Sequence, residues 1–337
     1  MPIPLKMAAT RIAAIKLLYL YLLIGSLAAG AHAQEQPLRP LPADTARGFK
    51  LYQRGDTEGA IRVLREVVQR REDDADAWYY LGLSYKQEGR QWSARAAFES
   101  AVALRPDFAN ALANLAFTLI IANKSERALQ LAERAIEAGD QSAEAHYVIG
   151  EASLRQDAHA RALDEAELAL RIKPDFPLAL VTKGMAQNGL KQYDEAAESF
   201  AALLAMSPDN AEADAWRVEL AHLRKSAASA KENPSPAPDG PNVYTTRQVT
   251  AKARVLSKPD PDYTQAARRA GAAGTVVLRG VISTDGKLTD IFVVRWLPYG
   301  LTTSAIEAAR QVQFTPASID GKPVSQYILI EYNFNLY

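Results

Sequence analysis

Apolar and small side chains return at fixed places every 34 residues from Leu41 to Asn210, five times over and without an insertion. In the copy from Ala75 to Phe108, Trp78, Leu81, Gly82 and Tyr85 share one helical face, and Ala94, Phe98 and Ala101 lie on a second helix that Pro106 ends. Alanine recurs at Ala60, Ala94, Ala128, Ala162 and Ala196, and again at Ala101, Ala135 and Ala169, with Val67 and Leu203 at the two outer positions of that column. Small side chains there let the paired helices approach closely. Gly48, Gly82, Gly150 and Gly184 form another column, broken by Ala116. The pattern predicts five helical hairpins over residues 41–210, and an amphipathic helix over 211–224, with Trp216, Leu220 and Leu223, to cover the last of them. Residues 225–245 are rich in Pro, Ala and Ser and read as a semi-extended linker.

After the linker the period changes from 3.6 to two. Gly274–Ser283 and Leu288–Leu297 are β-branched runs joined by Thr284-Asp285-Gly286-Lys287, a hairpin signal because Asp-Gly supplies positive φ at little cost. Ser325–Tyr337 alternates, with Ile328, Ile330, Tyr332, Phe334 and Leu336 on one face and Tyr327, Leu329, Glu331, Asn333, Asn335 and Tyr337 on the other. Short helices fit at Asp262–Ala270 and Thr303–Gln311. Residues 246–337 therefore predict a small α+β domain with an antiparallel sheet.

Composition removes several classes of function. The 337 residues hold 39 basic and 39 acidic side chains, so no global positive field invites nucleic acid. The charges are unevenly placed: residues 41–224 carry 22 basic and 29 acidic groups, net −7, and residues 246–337 carry 11 and 7, net +4. Without cysteine there is no disulfide, thiolate metal site, thiol nucleophile or acylated lipoprotein anchor. His146, His159 and His222 sit at ordinary helical positions, with no carboxylate at a ligand spacing and no nucleophile or phosphate-loop motif elsewhere. The expectation is a non-enzymatic binding protein with no cofactor and no metal.

At the N-terminus, Lys6, Arg11 and Lys16 precede an apolar run, Leu17–Ala31, and Ala31-His32-Ala33 precedes Gln34. This reads as a signal peptide over 1–33, followed by a short leader over 34–40, and implies export to a periplasm. The run of 15 residues spans about 22 Å as a helix, short of the roughly 30 Å hydrocarbon core. An uncleaved inner-membrane anchor facing the periplasm is the alternative, and membrane contact is expected only in that case.

The 34-residue unit, with its Trp/Leu-Gly/Tyr, Ala/Phe and Pro spacing, resembles the tetratricopeptide repeat. The tail resembles the TonB C-terminal domain: Pro261-Asp262-Tyr263, Ala266-Ala267, Gly271, Gly274, Gly300-Leu301, Phe314-Thr315-Pro316-Ala317 and Gly321-Lys322-Pro323-Val324 carry the likeness, and Thr264 departs from the usual proline. The first resemblance implies a superhelix whose concave face is lined by the first helix of each repeat at columns 2, 5, 6, 9, 12 and 13. Those columns place Phe49, Tyr52, Tyr79, Tyr80, Leu83, Asn114, Phe117, Ile120, Ile121, Tyr147 and Leu154 toward a peptide-binding groove. Exposed aromatics there are expected to serve binding and not folding. The fifth and ninth columns of the second repeat hold Tyr79 and Leu83, so a Lys/Asn carboxylate clamp is not expected. The second resemblance implies strand addition, with an outer-membrane receptor segment pairing along the last strand at Tyr327, Leu329, Glu331, Asn333 and Asn335. A membrane-anchored energy transducer of the TonB type is the alternative function. The short hydrophobic segment, the six-residue spacing of Ser26 and His32 and the brief linker argue against it.

Overall fold

The computed structural model describes residues 40–232 and 243–335; the expected signal peptide and the Pro-rich part of the linker lie outside these. Five antiparallel helix pairs follow one another: α1 (Ala43–Gln53) with α2 (Thr57–Arg70), α3 (Ala75–Gln87) with α4 (Gln91–Leu104), α5 (Ala109–Ile121) with α6 (Ser125–Glu137), α7 (Ala143–Leu154) with α8 (His159–Ile172), and α9 (Pro177–Gly189) with α10 (Tyr193–Met206). Asp56, Asp74 and Ser142 cap α2, α3 and α7 by accepting from the backbone amide three residues on. The alanine columns are fully buried at the hairpin seams. Gly82 shows why its column is small: a Cβ there would meet the Phe98 ring at 2.5 Å.

The covering helix, α11, spans Ala213–Glu232. Sequence reasoning ended it at 224 and opened a linker at Lys225. The helix continues because Ser226–Glu232 is composed largely of alanine, lysine and glutamate, all but the serines good helix formers, and Lys231 reaches Asp194 of α10 at 3.0 Å.

The C-terminal domain comprises β1 (Val243–Tyr244), β2 (Arg254–Ser257), α12 (Gln265–Ala270), β3 (Gly274–Ile282), β4 (Leu288–Arg295), α13 (Leu301–Arg310), β5 (Gln313–Thr315), β6 (Ala317–Ile319) and β7 (Lys322–Phe334). The main sheet runs β1-β7-β3-β4, with β6 also on β7, and β2 pairs separately with β5. The long pairings are antiparallel, and the two-residue β1 adds in parallel at Ser325 and Gln326. Sequence reading missed β1, β2, β5 and β6, which are too short to show a period. Val276, Leu278, Ile282, Ile330, Tyr332 and Phe334 form the buried face, packed with Ala267, Leu301, Ala305 and Ile306. Gly286 takes φ +80° in the Asp-Gly turn, as the hairpin signal requires. Thr264, the departure from the family pattern, caps α12: its hydroxyl accepts from the Ala267 amide at 3.1 Å and donates to the Tyr299 carbonyl at 2.6 Å.

Candidate protein-interaction site

The residues expected to line an open groove are mostly closed off. Phe49, Tyr79, Tyr80, Leu83, Asn114, Phe117, Ile120, Ile121 and Tyr147 are buried, and Tyr52 and Leu154 are half-buried. The aromatics pack on one another. Phe49 meets Tyr80 at 4.5 Å between ring centroids, Tyr79 meets Phe108 at 4.9 Å, and Tyr147 lies between Phe117 at 5.8 Å and Phe176 at 5.2 Å. The expectation that these rings stand exposed is corrected: Phe108 and Phe176, at the ends of their repeats, fold back over the fifth column of the same repeats.

The same columns, continued toward the end of the solenoid, meet the C-terminal domain. Phe49, Leu83, Phe117, Glu151, Met185 and Glu219 share the ninth column, 34 residues apart, and Asn188 and His222 share the twelfth. At these positions Met185 Sδ accepts from the Trp296 indole N–H at 2.9 Å, and Glu219 accepts from the Val293 amide at 3.1 Å and from Asn188 Nδ2 at 3.2 Å. Glu212, in the second column, accepts from the Gly300 amide and from Thr303 Oγ1 at 3.4 Å. His222 lies flat on Phe292, with centroids 4.0 Å apart and planes within 7°, and Lys225 pairs with Asp290 at 3.0 Å. Further along, the Ala273 amide donates to the Ile121 carbonyl. The chain's own C-terminal domain therefore occupies the columns from the third repeat to the cap.

Burial shapes the electrostatics of this seam. It pushes Glu212 and Glu219 up to about 7, although the amides that donate to them pull the other way. Burial, helped by Lys225, holds His222 down at about 4. Burial also raises the Tyr147 phenol, with Glu151 adding to the effect. Sequence reading missed Glu212, Glu219 and His222 as contacts because the covering helix was judged by its apolar residues, and Met185 on α9 because the groove columns were followed only to the fourth repeat. Extending the ninth column by one more period from Met185 points straight to Glu219.

The sheet's two edges differ. Val293 donates its amide to Glu219 from β4, so that edge lies against α11. On β7, one edge pairs with β3 from Gly274↔Phe334 to Ile282↔Gln326, and the other carries β6 and β1 only as far as Gln326. Among the described residues no strand follows on that side from Ile328 to Phe334. Lys258 Nζ donates to the Glu331 carbonyl there at 2.6 Å. The Glu331 main chain thus faces outward, and alternation turns Leu329 and Asn333 the same way. Of the residues proposed for strand addition, Leu329 is 59% exposed and Glu331, Asn333 and Asn335 are exposed. Asn333 Oδ1 accepts from Thr275 Oγ1, Arg279 lies over the Tyr327 ring, and Asn335 is just past the strand end. Leu336 and Tyr337 lie outside the described residues.

A helical repeat scaffold with a small sandwich of sheet and helices seated in its concavity is the class these features define. Comparison with known families agrees: residues 259–336 match the Gram-negative bacterial TonB protein C-terminal domain, and residues 48–89, 75–108, 118–177 and 182–230 match tetratricopeptide repeats. The chain is a tetratricopeptide-repeat protein with a C-terminal TonB-family domain. Among solved structures it is similar to the MamA protein (26% identity, TM-score 0.39, covering 50% of this chain and 94% of that one) and to PilF of Pseudomonas aeruginosa (22%, TM-score 0.43, covering 58% and 93%). Among curated proteins it is similar to the human protein O-mannosyl-transferase TMTC1, at 25% identity over 155 residues. That match takes in 45% of this chain and 18% of the relative, so the chain spans less than a fifth of its length.

Proposed function

We propose that this chain is a non-enzymatic protein-interaction scaffold of the periplasm that receives an extended segment of a protein partner, such as the periplasm-facing segment of an outer-membrane receptor, along the outer edge of β7. The observation that carries this reading is the asymmetry of the sheet: α11 covers β4, and β7 presents the outward main chain of Leu329, Glu331 and Asn333. Main-chain hydrogen bonds to that edge supply affinity, and the alternating side chains Leu329, Glu331 and Asn333 supply selectivity. The solenoid serves as a rigid seat that fixes which edge is offered. Export rests on the N-terminal Lys/Arg, apolar and Ala-His-Ala pattern.

Hydrogen exchange on the full chain tests the reading. Addition of synthetic peptides copied from the periplasm-facing segments of the host's receptors is expected to slow the amides of Leu329, Glu331 and Asn333. Asn333→Pro removes an outward donor and is expected to leave the fold intact while abolishing that protection. Unchanged exchange at all three amides with every peptide would overturn it.

A further inference from the structure

The seam between the solenoid and the C-terminal sheet carries more than packing. Two carboxylates, Glu212 and Glu219, sit buried in it and take amides from two places on the other domain, Gly300 ahead of α13 and Val293 on β4. A third titratable group, His222, is stacked on Phe292 and lines the cleft beside the seam. Both glutamates occupy groove columns, and the seam stands beside a cleft of 430 Å3 lined by Val218, His222, Lys225, Asp290 and Arg310, among others, which brings solvent to its rim. We propose that this seam is a proton-dependent latch: it holds the TonB-like domain in the concave face in acid and loosens as the medium turns alkaline, uncovering the β4 edge and the groove columns in one step.

The chemistry runs in one direction for the glutamates. A carboxylate released to water returns to its ordinary value near 4.5, whereas in the closed seam each stands at about 7. Closing therefore takes up protons. The contribution of each glutamate is fully present below about pH 4.5 and is lost as pH rises through 7. His222 opposes this. Its value falls from 6.5 to about 4 on closing, so its contribution is present above 6.5 and lost as pH falls toward 4.

Polar and charged groups of neighbouring elements surround the latch. Glu219 is faced by Asn188 of α9 and the Val293 amide of β4, and Glu212 by Gly300 and Thr303. Asp290 of β4 is paired with Lys225, Arg279 of β3 lies over Phe292, Arg310 ends α13 at the cleft, and Asp194 of α10 is paired with Lys231 on the outer side of α11. Tyr147 and Tyr299, nearer the third and fourth repeats, are phenols held neutral by burial. Adding the two glutamates and subtracting the histidine gives a net loosening of about two orders of magnitude in the closing constant between pH 4.5 and pH 8.

Amide exchange on the full chain, corrected for its intrinsic dependence on pH, reads the latch directly at Val293 and Gly300. Their protection is expected to fall about 100-fold between pH 4.5 and pH 8, while amides of the β3–β7 ladder, which report unfolding of the domain itself, hold steady. The double variant E212Q/E219Q is expected to lose that slope and to loosen only in acid, as His222 takes a proton. His222→Phe keeps a ring on Phe292 and removes the opposing group, so the slope is expected to steepen to about four orders of magnitude. Protection at Val293 and Gly300 that stays constant with pH, or that moves together with the β3–β7 ladder, would overturn the proposal. So would a slope unchanged in His222→Phe, a test that stands even where the double variant does not fold.

Discussion

At the scale of single residues, the aromatic columns decide more about stability than about recognition. Tyr79 is 2% exposed and touches Tyr80, Phe98 and Phe108, so Tyr79→Ala is expected to cost about 3 kcal/mol or more, seen as a lowered midpoint in urea unfolding. Little change in the midpoint would return this ring to the binding surface that its column number suggested. Gly82 gives the converse case. Its missing Cβ makes room for the buried Phe98 ring, and Gly82→Ala is expected to cost about 1–3 kcal/mol despite the better helix propensity of alanine. The column itself was legible in the sequence, because a 34-residue period assigns every residue a place on a hairpin. What a column touches was not legible, since Phe108 and Phe176 fill the space from positions at the end of the repeat. Glu219 was hidden for a related reason: a carboxylate on a covering helix reads as a solvated side chain until a β-strand amide is seen in front of it.

At the scale of elements, strong periodicity marked the ten repeat helices and the three longest strands, and short pieces escaped. β2 and β6 hold four and three residues, too few for alternation to rise above chance, and their places depend on what β5 and β7 offer them. The extension of α11 was obscured because alanine and serine serve both in helices and in linkers; neither the burial of Ala227 nor the reach of Lys231 to Asp194, far away in sequence, shows in the local pattern. The β3–β4 turn is the element most exposed to a single change. Gly286 has positive φ, and a Cβ there would approach the Phe314 carbonyl oxygen at 2.6 Å, so strain and collision act together. Gly286→Val is expected to destabilise the C-terminal domain by about 2 kcal/mol or more, and loss of protection in the β3–β4 ladder would show it ahead of any change in the repeats.

At the scale of the whole molecule, the two parts share one body of apolar contact, continuous from Phe49 in the first repeat to Phe334 in the last strand. Neither the repeat period nor the strand alternation carried that information, because each describes a domain by itself; the opposite net charges of the two halves, −7 and +4, are the one feature of the sequence that favours contact between them. A single heat-absorption peak is expected for the full chain near neutral pH, and two well-separated peaks would show that the seam contributes little. A chain ending at Asn242 is expected to melt lower than the repeats do in the full protein, since Met185, Glu212, Glu219 and His222 lose their cover.

The unequal edges of the sheet have a further consequence for assembly. A sheet open on both sides is a bifunctional monomer: each strand it accepts leaves another end to grow from, and a fibre follows. While α11 lies along β4, the proposed strand addition gives this molecule a functionality of one. A partner strand added at β7 then ends the growth, as a chain-terminating reagent ends a polymerisation, and stoichiometry is set by the closed seam and not by concentration.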